Sequence, residues 1–101
     1  MKRLYDLAFG RSGDKGNIAN ISVIARSPEA YQEIKGKLTA ERVKAYFGEL
    51  VKGDVVRYEL DNIEALNFVL HGALDGGGTR STRIDPLGKS LAGALLYMPW
   101  E

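Results

Sequence analysis

Three short apolar segments have the composition of β-strands. Leu4 to Phe9 and Ile18 to Ala25 flank a glycine-rich stretch, and the third segment is Val55 to Leu60. The second segment is rich in β-branched residues, and in the third a large apolar residue occupies every second position, as on one face of a strand. A fourth segment, Thr79 to Ile84, has β-branched residues interrupted by arginines, so we predict a partly exposed strand there.

Four helices are predicted from cap residues that precede amphipathic segments. Their starts are Ser27-Pro28, Thr39, Asp61-Asn62 and Asp85-Pro86, where a side chain accepts an amide hydrogen bond or a proline suits the first turn. Gly53 is predicted to end the second helix, and Tyr97 to Trp100 fits either a frayed helix end or a short edge strand. Inward-facing apolar residues then follow helical spacing: Tyr31, Ile34 and Leu38; Val43, Tyr46, Phe47, Leu50 and Val51; Ile63, Leu66, Val69, Leu70 and Ala73; and Leu87, Leu91, Ala94 and Leu95.

The order of these elements predicts an α+β fold in which helices cover one face of a mixed sheet. The chain of 101 residues shows no repeat or linker, so we predict one domain over residues 1 to 101. Its apolar content of 45% supports a core that removes roughly 60 to 70% of the unfolded surface from water.

The composition of the chain argues against several classes of function. A net charge of +1 lacks the basic excess of proteins that bind nucleic acid without sequence preference. The absence of cysteine and the presence of one histidine, His71, exclude disulfides and multi-histidine metal centres, so we predict no metal site. The longest apolar run, around Leu91 to Trp100, is far shorter than the ~20 residues of a membrane-spanning helix. We therefore expect a soluble cytoplasmic protein that binds neither nucleic acid nor membrane.

Two glycine-rich stretches carry the candidate chemistry. The first spans residues 10 to 17 and has glycine at every third position, so we predict a loop whose backbone amides approach a ligand closely. The second spans residues 75 to 83 and precedes Lys89 in the first turn of the predicted last helix. A lysine there opposes the helix dipole unless an anion is also bound. The two stretches together predict an anion-binding site.

Charge supports this interpretation and leaves an alternative open. Over residues 10 to 17 and 75 to 89, five basic residues and three acids leave a local charge of +2, against −1 for the rest of the chain. The alternative is that Asp14 or Asp85 caps a backbone turn. The basic residues would then form only surface ion pairs.

Other motifs lack the context that their chemistry requires. Gly88-Lys89-Ser90 resembles the end of a phosphate-binding P-loop, but Arg83 stands where that motif needs glycine. Ser12 and Lys15 have the spacing of a serine–lysine nucleophile, which requires a helix that the neighbouring glycines disfavour. Asn67 is a candidate donor and acceptor toward the site, or a solvated residue. His71 fits a surface histidine better than a general base.

The two glycine-rich stretches, with Leu66-Asn67-Phe68 and Asp85-x-x-Gly88-Lys89, resemble the AtuA-like ferredoxin-fold domain. That domain is the C-terminal part of the acyclic terpene utilisation protein AtuA and also occurs as a small separate protein. The resemblance covers about Leu4 to Leu96. The family commonly has glycine at the position of Asp75 and a variable residue at that of His71, so neither is assigned to the site.

The resemblance implies a ferredoxin-like fold, a large AtuA-type partner, and a setting among acyl-CoA enzymes that degrade acyclic terpenes or branched acyl chains. A CoA thioester or another anionic small molecule is the expected ligand, the cofactor is not specified, and self-association stays open. The candidate catalytic residues are Asp14, Lys15 and Asp85. The candidate ligand-binding residues are Arg11, Ser12, Gly13, Gly16, Asn17, Asn67, Gly76, Gly77, Gly78, Arg80, Ser81, Arg83 and Lys89. The alternative from another class is a non-catalytic module that docks on the larger partner and stabilises it.

Overall fold

The computed structural model describes residues 2 to 15, 18 to 73 and 91 to 100, with residues 14 and 15 described by their backbone. This part of the chain contains four strands and three α-helices. The strands are β1 (Ala8–Lys15), β2 (Ile18–Ala25), β3 (Val55–Leu60) and β4 (Ala65–His71), and the helices are α1 (Pro28–Lys37), α2 (Ala40–Phe47) and α3 (Leu91–Leu96). Three short 3-10 helices occupy Leu4–Asp6, Gly48–Leu50 and Asp61–Ile63.

The four strands form one sheet in the order β1-β2-β4-β3. Two hairpins, β1 with β2 and β3 with β4, are joined by the pairing of β2 with β4. All three of these pairings are antiparallel. The predicted α+β, ferredoxin-like architecture with helices on one face of the sheet is therefore confirmed, whereas the described strands form an antiparallel sheet and not the mixed sheet that we expected.

The segment that follows Asn62 is a strand and not the predicted helix. Leu66, Phe68 and Leu70 are fully buried and alternate with the half-buried Asn67 and Val69, which is the two-residue period of a strand. Residues 65 to 70 pair with β3, and residues 65 to 71 pair with β2. Bonding to two neighbouring strands outweighs the helical spacing of apolar residues that the sequence also contains.

Strand β1 lies farther along the chain than the predicted strand over Leu4 to Phe9. Every residue from Ala8 to Lys15 pairs with β2, so the predicted glycine loop is mostly strand. Packing accounts for the glycine at position 10, because a Cβ atom on Gly10 would lie 3.2 Å from Ala92 Cβ in α3. Its missing side chain allows α3 to pack closely on β1, which is a structural reason for glycine at this position.

The predictions for α1 and for the start of α2 are confirmed. Ser27 Oγ accepts a hydrogen bond from the amide of Ala30, and Thr39 Oγ1 accepts one from the amide of Arg42. Tyr31, Ile34 and Leu38 are buried as predicted, as are Val43, Phe47 and Val51. The second helix ends at Phe47, before Gly48 with its positive φ of 58°, and not at Gly53. Tyr46 and Leu50, which were predicted to face inward, keep more than a third of their surface exposed.

The core lies between the three described helices and one face of the sheet. Strand β2 contributes Ala19, Ile21 and Val23 to this core, and all three are fully buried. The last described residues close this layer, because Trp100 is buried and its amide donates to Lys2 O at 2.8 Å. Pro99 forms an isolated antiparallel bridge with Arg3, so Tyr97 to Trp100 is nearer to the predicted edge strand than to a frayed helix.

The predicted strand over Thr79 to Ile84 and the predicted helix start at Asp85-Pro86 lie outside the described residues. Within the described ranges, no helix has the length and apolar character needed to cross a membrane.

Candidate functional site

The side of the sheet that faces away from the three described helices is called the open face. Antiparallel partners share a face, and on β2 the residues that alternate with the buried Ala19, Ile21 and Val23 belong to it. The pairing then assigns the remaining positions. Its described members are Phe9, Arg11 and Gly13 on β1; Ile18, Asn20, Ser22 and Ile24 on β2; Ala65, Asn67, Val69 and His71 on β4; and Val56, Tyr58 and Leu60 on β3.

A polar row crosses the open face. Arg11 pairs with Ser22, Ser22 with Asn67, and Asn67 with Tyr58, so these four residues lie side by side on the four strands. Asn67 Nδ2 donates a hydrogen bond of 2.8 Å to Ser22 Oγ. Because that bond uses Ser22 as an acceptor, the Ser22 hydroxyl proton can be donated to another group.

A concavity of about 370 Å³ lies on this face beside the polar row. Its lining divides into a polar and an apolar part. The polar part contains Arg11, Ser12, Gly13, Asn20 and Ser22, and the apolar part contains Ile24, Leu60, Ile63 and Ala65. A volume of this size falls at the lower end of the range for ligand-binding pockets.

Among the described residues that line the concavity, Arg11 is the cation. Its side chain is exposed, and within the described ranges it forms no ion pair or hydrogen bond. None of the described members of the open face is an acid. Arg26, at the corner of the face, differs because its guanidinium donates to Tyr5 O at 3.0 Å and lies 3.9 Å from the centre of the Phe9 ring. Among the described residues, the Arg11 guanidinium therefore has no acceptor of the kind that Arg26 has.

Large apolar side chains border the polar row. Phe9, Tyr58 and Ile63 each expose more than half of their surface, at 52, 53 and 56%. Ile18 is 39% exposed. Isolated exposed apolar residues are ordinary, but several on one face around a concavity are typical of surfaces that contact a ligand or another protein.

The structure brings some predicted site residues together. Arg11, Ser12 and Gly13 line the concavity, and Asn67 lies on β4 beside Ser22. These residues belong to strands and not to the predicted loop and helix. Asp14 and Lys15 form the end of β1, where they pair with Ala19 and Ile18. The remaining predicted site residues lie outside the described residues: Gly16, Asn17, Gly76, Gly77, Gly78, Arg80, Ser81, Arg83, Asp85 and Lys89.

Sequence reasoning missed Asn20, Ser22 and Tyr58. Asn20 and Ser22 alternate with the apolar Ala19, Ile21 and Val23 within a segment that was correctly predicted as a strand. Two polar residues at every second position of such a strand indicate a face that is not packed in the core. That alternation was the available signal.

The clearest shifts in acidity lie among groups on the helix side of the sheet. Burial and the hydrogen bond to Asp61 raise the pKa of Tyr31 to about 12. The hydrogen bond from Trp100 Nε1 lowers the pKa of Glu33, and hydrogen bonds from Tyr31 and Lys35 lower the pKa of Asp61. These groups form structural contacts between elements and do not line the concavity. No group of three or more His, Asp or Glu side chains in the described ranges is arranged to hold a metal ion.

Comparison with known proteins identifies the domain. The family model of the AtuA ferredoxin-like domain matches residues 2 to 101. Comparisons with curated proteins and with solved structures found no match. Since the family model covers almost the whole chain, and the described strands and helices have the expected α+β arrangement, the chain belongs to the AtuA ferredoxin-like domain family.

Proposed function

We propose that this chain is a small subunit or accessory domain that docks on a large AtuA-type protein and contributes an anion-binding part of a shared site. The observation that supports the proposal most strongly is the open face, where the cationic Arg11 lies among exposed apolar side chains beside a concavity. Aromatic residues and arginine are enriched where proteins contact one another. The large AtuA-type partner is proposed because the chain belongs to the AtuA ferredoxin-like domain family.

The proposed setting is the degradation of acyclic terpenes or branched acyl chains as CoA thioesters. Arg11 would hold a carboxylate or a phosphate, because a guanidinium donates two parallel hydrogen bonds to such groups. Lys15 and Lys89 would add positive charge to the same ligand. Asp14 or Asp85 would orient a basic side chain, or move a proton within the assembled pair.

Co-expression with a large AtuA-type protein tests the docking. Tyr58→Glu places a charge on the open face, and we expect it to weaken the complex about tenfold or more, since desolvating a charge in an interface is costly. Tyr97→Glu is the matched control, because Tyr97 is also exposed but lies after α3, outside the open face. Size-exclusion chromatography and titration calorimetry measure the complex. If Tyr58→Glu assembles as well as the control, the open face is not the docking surface.

The same complex separates a shared site from a docking module without chemistry. With a shared site, Arg11→Met leaves assembly intact and lowers turnover of a CoA thioester by the assembled pair. In a pure docking module, Arg11→Met weakens assembly and leaves the turnover of each assembled complex unchanged. The exposed Phe9, Tyr58 and Ile63 favour docking in either case, so turnover by the assembled pair decides between the two functions.

A further inference from the structure

We infer that the concavity of the open face binds a small carboxylate with a short apolar chain, the carboxylate at Arg11 and the chain over Ile24, Leu60 and Ile63. This inference deepens the proposed function and rests on it for its biological setting. The binding itself involves only residues of this chain, so it can be measured without the partner.

The lining of the concavity divides into a polar and an apolar part. The polar part of the lining is on β1 and β2, and the apolar part includes Leu60, Ile63 and Ala65 from the β3–β4 hairpin. A ligand that is polar throughout would leave Leu60 and Ile63 in contact with polar atoms. A purely apolar ligand would cover the Arg11 charge without a partner, which is costly. A ligand with one anionic and one apolar end satisfies both parts.

The polar end of the concavity carries a set of hydrogen-bond donors. Arg11 presents a planar fork of N–H groups, and Ser22, opposite it on β2, has a hydroxyl proton left to donate because its oxygen accepts from Asn67 at 2.8 Å. A carboxylate has two oxygens in one plane and accepts several hydrogen bonds. The described members of the open face include no acid that would repel it.

Gly13 leaves room for a ligand at the polar end of the concavity. A Cβ atom at Gly13 would meet only Asn20 Oδ1, at 3.4 Å, within 4 Å. Gly13 has no positive φ that would demand glycine. The strand therefore tolerates a side chain at Gly13. The effect of the glycine is that no side chain from this position fills the concavity beside Arg11.

The apolar end of the concavity favours a ligand that has an apolar chain. Ile63 exposes 56% of its surface at the edge of the concavity, so a chain that reaches it covers apolar area that is otherwise in water. Each methylene group that is buried should tighten binding about fourfold. A chain of several methylene groups therefore binds much more tightly than a carboxylate without one.

Titration of the isolated chain with octanoate, followed by amide chemical shifts in NMR spectra, tests the inference. Octanamide is the matched neutral probe and acetate the matched short one. We expect octanoate to shift amides of β1, β2 and β4 around Arg11, Ser22 and Asn67. Octanamide and acetate should each bind at least about tenfold more weakly. Equal binding of octanoate and octanamide, or no binding of octanoate, would overturn the inference.

Variants locate the binding. Arg11→Met should weaken octanoate binding about tenfold or more, and Arg11→Lys less, because lysine keeps the charge and loses the fork. Gly13→Val, whose side chain suits a strand, should block the concavity. Lys52→Met removes an exposed cation outside the open face and should leave binding unchanged. If Arg11→Met and Gly13→Val are folded and bind octanoate like the wild type, the assignment is wrong.

The outcome of the octanoate titration is independent of the outcome of the docking test with Tyr58→Glu. If octanoate fails to bind while Tyr58→Glu still disrupts the complex, the ligand class is wrong and the proposed partner role stands. If octanoate binds as expected while Tyr58→Glu assembles normally, the ligand class stands and the docking surface is wrong.

Discussion

The hydroxyl of Tyr31 donates a hydrogen bond of 2.5 Å to Asp61 Oδ1. This bond joins helix α1 to the turn between β3 and β4, and the two residues are 30 positions apart in the chain. Lys35 Nζ lies 3.0 Å from the same carboxylate oxygen. The contact ties α1 to the turn that follows Leu60 and contains Ile63, and both of these residues line the apolar end of the concavity.

Stability at high pH should depend on Tyr31. Its pKa is raised from 10.0 to about 12 by burial and by Asp61, so its contribution to the free energy of unfolding is complete below pH 10.0 and is lost as the pH rises through about 12. Urea unfolding of the wild type and of Tyr31→Phe between about pH 8 and about pH 12 should show the two stability curves converging as the pH rises. A constant difference between the curves would contradict this prediction.

Stability at low pH should depend on Glu33 and Asp61. Trp100 Nε1 donates to Glu33 Oε2 at 2.6 Å, and this bond is the main cause of the lowered pKa of Glu33. A lowered pKa means that the contribution is present above the ordinary value of 4.5 and is lost as the pH falls through the folded value.

The check is urea unfolding of the wild type and of Glu33→Gln from about pH 6 to about pH 2. Above about pH 5 the wild type should be more stable, and the difference should shrink as the solution is acidified. Glu29→Gln is the control, since Glu29 is exposed in the first turn of the same helix. The interpretation fails if the two variants respond equally to acid.

The side chain of Arg57, on the edge strand β3, should contribute strongly to the stability of the fold. Its Nη1 donates to Lys35 O at 2.8 Å and to Leu38 O at 3.0 Å, and its Nη2 lies 2.7 Å from Glu59 Oε2. It therefore satisfies carbonyls at the end of α1. Arg57→Met should lower the free energy of unfolding by about 1.5 to 3 kcal/mol, the range for hydrogen bonds that involve a charged group.

Arg57→Lys serves as the matched variant, because it keeps the charge and can reach only part of the three acceptors. We expect its loss of stability in thermal or urea unfolding to be smaller than that of Arg57→Met. If both variants are as stable as the wild type, the hydrogen bonds of Arg57 contribute nothing measurable.

Two glycines should respond to alanine in opposite directions. Gly36 lies in α1, where a Cβ atom would meet nothing within 4 Å beyond the helix's own backbone, so Gly36→Ala should stabilise the domain by about 0.4 to 1 kcal/mol. Gly48 also has open space around it but has a φ of 58°, which an alanine adopts only with strain. Gly48→Ala should therefore be destabilising. Urea unfolding of the two variants measures both effects, and equal shifts would contradict the argument.

The sequence predicted the elements whose signals are local. Ser27 and Thr39 cap helices that begin where expected, and β2 and β3 have the predicted bounds. Strand β4 was missed because Leu66 and Leu70 suit both a helix face and a strand face. Only pairing with β2 and β3, which is non-local, decides between them.

The candidate site was predicted in part. Arg11 and Gly13 were chosen because they lie in a glycine-rich stretch, and they do line the concavity. The expected reason was wrong, because they belong to a strand, whose pairing with β2 extends from Ala8↔Ala25 to Lys15↔Ile18. Ser22 and Asn67 meet across two strands that are 45 residues apart, a distance that no local motif spans.

The hydrogen bond between the amide of Trp100 and Lys2 O brings the two termini of the domain together. Both lie on the helix side, where Trp100 Nε1 is bonded to Glu33 of α1 and Arg42 of α2 stacks on the indole ring. A longer polypeptide that carried this unit as an insertion would enter and leave it at one place on its surface. Its two connections would lie on the helix side of the sheet. The open face with Arg11 would then remain accessible to the rest of that polypeptide.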